Sequence, residues 1–209
     1  MSSTTPARPR RDRRRDRHEA TKQEILGSAW SMVRADGLAA LSLRALAHAV
    51  NMEPQSLYTY FASKNALYDR MFADGNLELA RRLADVEIPD DARSALRAIA
   101  STFLEFAAQD QARYQLLFLR TIPGFQPSPH SYAIALEVLA TVRTALARAG
   151  IRNEADFDLW TAVLIGLAGQ QLANDPGGDR YIRLIDSAVT MFADHVLGVA
   201  APATRTSQR

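Results

Sequence analysis

The sequence predicts an all-α protein of about nine helices. Between residues 18 and 197, apolar residues recur three and four positions apart, as in Leu96, Ile99 and Phe103, which indicates helices that bury one face. No stretch keeps a two-residue alternation of apolar and polar side chains, so no sheet is expected. Short segments with glycine or proline interrupt the helical patterns and give the boundaries between elements.

The composition is that of an ordinary globular protein, but its positive charge is concentrated near the N-terminal end. Apolar residues make up 47% and charged residues 23% of the 209, and the absence of cysteine excludes disulfides and thiolate chemistry. The net charge is +2, yet residues 1–70 carry 12 Lys/Arg against 7 Asp/Glu, and the remainder carries 13 against 16. A basic segment on a nearly neutral body indicates a polyanionic partner.

Residues 1–17 are polar and arginine-rich, and we predict a disordered arm there. Seven arginines lie between Arg8 and Arg17, so the arm is either a solvated tail or a segment that follows nucleic-acid phosphates or enters the minor groove beside the main site. No apolar run follows it, which argues against a signal peptide, and the most apolar later stretch, residues 159–168, is too short to span a bilayer. The sequence therefore predicts a cytoplasmic protein, with a second disordered segment at residues 199–209.

The breaks define the helices in order. A first helix ends at Asp36-Gly37, because glycine is common just past a helix end. Two short helices follow within residues 42–61, and a fourth, about 64–85, contains no breaker. Later breaks lie at residues 88–90, 123–129, 150 and 174–179. The first three helices and the start of the fourth are expected to form one compact unit, joined by the fourth helix to a larger helical bundle whose last helix covers residues 180–197.

Residues 42–64 have the pattern of a helix-turn-helix. Asn51 stands at the turn, where one residue commonly has positive φ and asparagine is the best choice after glycine. Pro54 suits the first turn of the next helix, since its missing N–H would be unpaired there. Leu57 and Phe61, four residues apart, can both point inward. Ser63 is a typical N-cap for the helix that follows.

The outward side of residues 54–61 carries hydrogen-bonding side chains that suit a DNA major groove. The candidates for contacts with base edges are Gln55, Ser56 and Thr59, because Gln pairs with adenine N6/N7 and Ser or Thr with several bases. The candidates for phosphate contacts are Tyr58, Tyr60 and Lys64, the last beside a helix N-terminus. A plain helical hairpin with half-buried tyrosines, in which Tyr58 packs on the first helix, is the alternative.

Residues 19–78 resemble the DNA-binding domain of the tetracycline-repressor (TetR) family of transcriptional regulators. The matching segments are ILGSAWSMVRADG, SLRALAHAV and SLYTYFASKNAL, and the last is the most specific, since Leu-Tyr-x-(His/Tyr)-Phe before Ser-Lys is a dense family signature. Two positions depart from the family pattern. Asn51 replaces the usual glycine, and Glu53 replaces a frequent Ser or Thr, so the recognition helix is expected to start less firmly. The role of Glu53 stays open.

The resemblance implies a DNA-binding domain at residues 18–65 and a ligand-binding and dimerisation domain at residues 66–198. It implies that the recognition helix enters the major groove of double-stranded DNA, while Ser42 and Arg44 touch the backbone. It also implies a homodimer, formed through the last two helices, that binds a near-palindromic operator and represses transcription. A dimer agrees with the sequence itself, because residues 154–173 are apolar on nearly every side.

The resemblance further implies a pocket for a small effector between the fourth and eighth helices. The predicted lining residues are Phe103, Phe106, Tyr114, Phe118, Trp160 and Gln170 or Gln171. Aromatic residues at helical spacing equally fit a plain core role. Few charged residues lie in these helices, so a mainly apolar effector is expected, one that releases DNA by favouring the conformation that does not bind it.

Two other classes are open at this stage, an all-α enzyme and a helical interaction protein without sequence-specific DNA binding. The four histidines lie far apart, and the sequence contains neither an HExxH pair nor a GxxxxGK[ST] loop nor a G-x-S-x-G turn. Catalysis is therefore not expected, and no metal or cofactor is predicted.

Overall fold

The computed structural model describes residues 10–198, and within them the chain forms nine α-helices and no strand, which confirms the predicted class. The helices are α1 (Arg10–Asp36), α2 (Leu43–Ala49), α3 (Pro54–Tyr58), α4 (Lys64–Ala84), α5 (Ala92–Gln109), α6 (Gln111–Phe118), α7 (Pro129–Arg148), α8 (Glu154–Asn174) and α9 (Ile185–Leu197). Two single 3₁₀ turns, Leu38–Ala40 and Ile182–Leu184, lie between them.

The first helix is longer than the sequence pattern indicates. Residues 10–17 belong to α1, so this part of the predicted arm is helical instead of disordered. Arginine is a good helix former, which favours a helix here even though the segment has no apolar face. Residues 1–9 of the predicted arm and the predicted tail at 199–209 lie outside the described residues.

The last helix starts later than predicted, at Ile185 instead of residue 180. The cause is Gln171, whose side chain is buried and organises the turn before α9. Its amide oxygen accepts from the Tyr181 N–H at 2.8 Å, and its amide nitrogen donates to the Gly178 carbonyl at 3.1 Å. These bonds hold residues 175–182 in a non-helical path.

The buried apolar side chains form two main cores. The N-terminal core, built from α1 to α4, contains Leu46, Leu57 and Leu67 and also receives Ala112 and Leu116 of α6. The C-terminal core is formed by side chains of α5, α8 and α9 among others. Helix α4 runs from the N-terminal core to a third, smaller cluster with α5 and α7, as its unbroken pattern predicts. The N-terminal unit and the bundle are therefore packed together through α4 and α6.

Candidate nucleic-acid interface and interior cavities

The turn between α2 and α3 has the predicted backbone. Asn51 has φ 53°, and it is the one residue other than glycine with positive φ within residues 10–198. The turn is closed by backbone bonds from the Asn51 N–H to the His48 carbonyl at 3.1 Å and from the Met52 N–H to the Ala47 carbonyl at 2.8 Å. This confirms the interpretation of Asn51 as the left-handed turn residue, and it directs α3 away from α2.

Helix α3 is short and weakly capped. Glu53 occupies the N-cap position but its side chain makes no capping hydrogen bond, as the sequence predicts, and Pro54 fills the first turn. The helix ends at Tyr58, three residues earlier than the pattern predicts. The chain nevertheless keeps a helical bond from the Phe61 N–H to the Leu57 carbonyl at 3.0 Å. Residues 54–61 therefore act as one unit held by Leu57 and Phe61, which are both buried.

The outward side of α3 is open, as the candidate assignments require. Gln55, Ser56, Tyr58 and Thr59 are exposed, and 53% of Tyr58 is accessible, so Tyr58 does not pack into the core. The Thr59 hydroxyl donates to the Ser56 carbonyl at 2.7 Å, which leaves its oxygen free to accept a further hydrogen bond. No other part of the described chain covers this surface. Such a surface can reach base edges in a groove.

Two of the predicted phosphate contacts are held in place by neighbours. Tyr60 is half-buried and stacks on His18 of α1, with ring centroids 4.6 Å apart. The Lys64 ammonium donates to the Ala39 carbonyl at 3.1 Å and lies 5.5 Å from the centre of the Tyr68 ring. Burial raises the pKa of Tyr68, which stays a neutral hydrogen-bond donor to the Leu38 carbonyl. Lys64 is therefore fixed at the edge of the N-terminal core.

Ser42 and Arg44 lie at the start of α2. The Ser42 hydroxyl accepts from the Ala45 N–H at 3.4 Å and so caps this helix, and Arg44 is exposed. Within the described part of the chain, no carboxylate pairs with the Arg44 guanidinium, in contrast to most arginines of the bundle. Arg44 is thus a free cation beside the helix-turn-helix.

An inner cavity of about 360 Å³ lies between α4, α5, α7 and α8. Phe103 and Phe118 line it, as two of the predicted liners. None of the predicted liners lies on α4 or α7, yet these two helices contribute Asn76, Leu79, Val138, Leu139 and Val142. The cavity is lined mainly by apolar side chains, so it suits an apolar ligand.

The other predicted liners do not reach this cavity, and each has a different packing role. Phe106 is fully buried in the small cluster with α4 and α7. Trp160 packs against Phe192 inside the C-terminal core, with ring centroids 4.9 Å apart and the ring planes tilted by 34°. The buried Tyr114 donates its hydroxyl to the Ile165 carbonyl at 2.9 Å. Gln170 is exposed and accepts from Asn174 at 2.7 Å, while Gln171 holds the turn before α9. Most of the aromatic residues at helical spacing in these helices therefore pack between helices and do not line the cavity.

An outer cavity of about 510 Å³ lies under the α6–α7 connection. Its lining includes Leu116, Arg120, Ile122, Phe125 and Gln126. Four further residues, Phe72, Leu117, Phe118 and Tyr132, line both cavities. The two spaces therefore meet at one wall of side chains, a feature that the sequence does not reveal.

A charged cluster connects α1 with α4 and α6. Arg34 of α1 donates to Asp110, and Arg113 of α6 donates to Asp74 of α4 at 3.1 Å. Asp74 also accepts from the Trp30 indole N–H at 2.8 Å. Asp110 marks the break between α5 and α6 and accepts from the Arg113 N–H at 3.1 Å, so it caps α6. Each group in this cluster thus joins the N-terminal unit to the bundle.

Across residues 10–198, none of the helices combines the length and the apolar character that crossing a membrane requires.

The fold and the site define a helix-turn-helix protein with a larger helical bundle, and comparisons with known proteins agree. Residues 25–71 match the sequence model of the family described as "Bacterial regulatory proteins, tetR family". The HTH-type transcriptional regulator Rv1816 of Mycobacterium tuberculosis is 30% identical over 143 residues, which are 66% of this chain and 61% of that protein. The chain thus spans about three-fifths of the length of this relative.

Two solved structures share the fold. The tetR-family transcriptional regulator from Streptomyces coelicolor superposes with a TM-score of 0.68 at 18% identity, over 87% of this chain and 82% of that one. The transcriptional regulator FadR from Bacillus subtilis, in complex with stearoyl-CoA, superposes with a TM-score of 0.62 at 16% identity, over 85% of this chain and 99% of that one. Residues 25–71 thus resemble the DNA-binding segment of the tetR family of bacterial regulatory proteins, and the relative that the chain matches over 143 residues is a transcriptional regulator.

Proposed function

We propose that the protein is a ligand-responsive transcriptional repressor that binds a near-palindromic DNA operator as a homodimer. The observation that carries this proposal is the exposed polar side of α3, held outward by the left-handed turn at Asn51. A buried helix would cover such side chains, whereas a recognition helix must present them.

The residues divide by chemistry into two groups. Gln55, Ser56 and Thr59 contact base edges, since their side chains are short, exposed hydrogen-bonding groups on one surface. The groups that contact phosphates are Ser42, Arg44, Tyr58, Tyr60 and Lys64. These set the register of the protein on the duplex and carry no sequence information themselves.

The arginines at the start of α1 extend the basic surface. Residues 14, 15 and 17 are exposed arginines in the first turns of α1, and His18 in the next turn lies against Tyr60 of the recognition unit. We propose that this segment contacts phosphates next to the main site. Replacing the three arginines with glutamine keeps a good helix former and should reduce the slope of log K on log[salt]. An unchanged slope would show that the arginines make no phosphate contacts.

The dimer forms through α8 and α9. Helix α8 buries Phe157, Trp160 and Leu164 but exposes Leu159 on another side, and α9 exposes Met191. Apolar side chains left open on two adjacent helices favour a second copy of the same surface. A dimer also lets two recognition helices contact two half-sites. Sedimentation should show a dimer that Met191→Glu dissociates, while Thr190→Glu, at an exposed position about 100° around α9 from Met191, serves as a matched control.

The effector occupies the inner cavity. Its apolar lining favours a small, mainly apolar molecule, and one fold relative was solved with stearoyl-CoA bound. For such a molecule to release DNA, it must bind more tightly to the conformation that cannot match adjacent grooves. Equal affinity for both conformations would leave DNA binding unchanged.

Selection of bound sites from random double-stranded DNA tests the proposal directly. We expect enrichment of a near-palindrome, and Gln55→Ala should lose about 1–3 kcal/mol of binding free energy and relax the base preference at one position in each half-site. Gln111→Ala, at an exposed position of α6, is the matched control and should bind like the unmodified protein. Failure to enrich any sequence would instead favour a helical interaction protein.

A further inference from the structure

The geometry points to a ligand class: we propose that the two cavities together bind an elongated amphiphile with an anionic end, either a carboxylate or a phosphate. Its apolar chain fills the inner cavity and its anionic group lies at Arg120 in the outer cavity. The inference rests on the proposed function in placing the effector in the bundle, and it adds the polarity and direction of that effector.

The wall between the cavities consists of side chains that can turn aside. Phe72, Leu117, Phe118 and Tyr132 line both spaces, so the cavities of about 360 and 510 Å³ share these four side chains as a common wall. Leu117 lies so close to α4 that a Cβ at Gly75 would come within 2.6 Å of one of its methyl carbons. Glycine at position 75 therefore lets the Leu117 side chain lie back against α4.

Among the described residues, the inner cavity offers no unpaired positive charge to an anionic group. Arg143 at its rim is paired with Glu154 at 3.4 Å and covers the Phe157 ring, with its guanidinium carbon 4.7 Å from the ring centre. Asp158 is the other charged lining residue, and it would repel an anion. The anionic end of an amphiphile should therefore stay out of this space.

The outer cavity, in contrast, has a positive charge at its polar edge that is unpaired within residues 10–198. Arg120 is its single charged lining residue among those described, and no carboxylate in the described chain pairs with it. Thr121 and Gln126 beside it add a hydroxyl and an amide that can donate hydrogen bonds. An unpaired guanidinium flanked by donors suits a carboxylate or phosphate oxygen.

The position of the anionic group suggests how it could act on the DNA-binding unit. The segment that carries Arg120 also carries Ile122 and Phe125, which pack against the N-terminal core. The Phe125 ring lies 5.7 Å from that of Tyr68, whose hydroxyl bonds to the Leu38 carbonyl. A ligand at Arg120 therefore contacts the connection between α6 and α7, which packs on the N-terminal core through Ile122 and Phe125.

Titration calorimetry of the full chain tests the ligand class below micellar concentrations. The probes are dodecanoate, dodecyl phosphate, 1-dodecanol and dodecyltrimethylammonium. We expect saturable binding of the two anions, about tenfold weaker binding of the alcohol, and the weakest binding of the cation. Comparison of the carboxylate with the phosphate decides which anion is preferred.

Two variants and one control test where the anionic end and the apolar chain of the amphiphile bind. Arg120→Gln should weaken the binding of dodecanoate about tenfold and leave the binding of 1-dodecanol unchanged, because only the ionic contact is lost. Val142→Trp fills the inner cavity and should weaken both probes. Arg152→Gln, at an exposed arginine that lines neither cavity, should change neither. Thermal unfolding of each variant establishes that it is folded.

Three results would overturn the inference. The first is that no alkyl probe binds, and the second is that the cation binds as tightly as the anions. The third is that Arg120→Gln loses as much affinity for 1-dodecanol as for dodecanoate. DNA site selection without ligand separates these outcomes from the proposed function. A chain that selects an operator but binds none of the probes keeps its regulator function and loses this ligand class. A chain that binds dodecanoate through Arg120 but selects no DNA loses the regulator function instead.

Discussion

Arg34, near the end of α1, donates two hydrogen bonds to Asp110 at the junction of α5 and α6, at 3.0 Å and 2.7 Å. The Asp110 side chain is only 8% exposed, and the same carboxylate caps α6. A charge-assisted pair at a buried helix start fixes both groups more firmly than an exposed ion pair does. The position of α6 is thereby tied to the first helix of the DNA-binding unit.

The first prediction concerns this pair. Arg34→Met should lower the free energy of unfolding by about 1–3 kcal/mol, because it leaves a buried carboxylate with fewer partners. Combined with Asp110→Asn in a double-mutant cycle, measured by urea denaturation, it should show a coupling of about 1 kcal/mol or more. Arg148→Met, the control, breaks an exposed ion pair with Asp90, and its free energy of unfolding should lie within about 0.5 kcal/mol of that of the unmodified protein. Additive effects of the two substitutions would mean that the contact contributes nothing.

The second prediction concerns the turn residue. Asn51→Gly should leave the free energy of unfolding nearly unchanged, because glycine adopts φ 53° without strain. Asn51→Ala should destabilise the protein by about 1 kcal/mol, because a Cβ with no polar group disfavours the left-handed region. Chemical denaturation measures both, and DNA affinity should fall only for alanine. Equal stability of the two variants would contradict the role assigned to this turn.

The helix-turn-helix could be predicted from sequence because its determinants are local. Asn51, Pro54 and Ser63 act on their own backbone or on amides a few residues away, so their chemistry is visible in a short segment. The cavities could not be predicted in the same way, since they depend on which sides of α4 and α7 face each other. The break at Asp110 has no glycine or proline to mark it, and its stabilising partner lies 76 residues earlier. The late start of α9 likewise depends on a distant side chain, that of Gln171.

The third prediction concerns the start of the recognition helix. Glu53 makes no capping bond, and its charge would face the phosphates of a bound duplex. Glu53→Ser supplies a capping hydroxyl and removes this charge, so it should raise stability by about 0.5–1 kcal/mol and strengthen DNA binding. Glu53→Gln removes the charge without adding a good cap and separates the two effects. Weaker operator binding by both variants would instead show that Glu53 makes a specific contact, such as one with a cytosine amino group.

The fourth prediction concerns pH and Glu78 on α4. Hydrogen bonds from Arg81 at 3.0 Å and from Arg82 at 2.8 Å hold the pKa of Glu78 at about 2, below its usual value of 4.5. Because the folded pKa is the lower one, the unfolded chain takes up the proton first as the solution is acidified. The stabilisation is therefore complete above about pH 4.5 and is lost as the pH falls toward 2.

Glu78→Gln should lower the free energy of unfolding at pH 7 by about 1 kcal/mol, a figure reduced because Arg81 is largely exposed. The gap between variant and unmodified protein should narrow as the pH is lowered from about 5 to 3, as measured by urea denaturation at each pH. Glu105→Gln, at an exposed position of α5, is the control and should show no such change. A gap that stays constant with pH would contradict the assignment of this carboxylate.

The fifth prediction separates stability from ligand binding at Gly75. Alanine is the better helix former by about 1 kcal/mol, but its Cβ would lie 2.6 Å from a methyl carbon of Leu117. That methyl group ends a flexible side chain, so Leu117 can swing away from α4 at modest cost, and the two effects on stability should nearly cancel. Leu117 lines both cavities, and its displacement should narrow the passage between them.

We therefore expect the free energy of unfolding of Gly75→Ala to lie within about 1 kcal/mol of that of the unmodified protein. Its affinity for dodecanoate should fall at least about fivefold. Combining it with Leu117→Ala removes the clash and should restore the affinity, which a general loss of structure could not explain. Operator binding without ligand should be unaffected, because the substitution lies outside the helix-turn-helix. An unchanged affinity for dodecanoate would show that the passage at Leu117 is not part of the binding path.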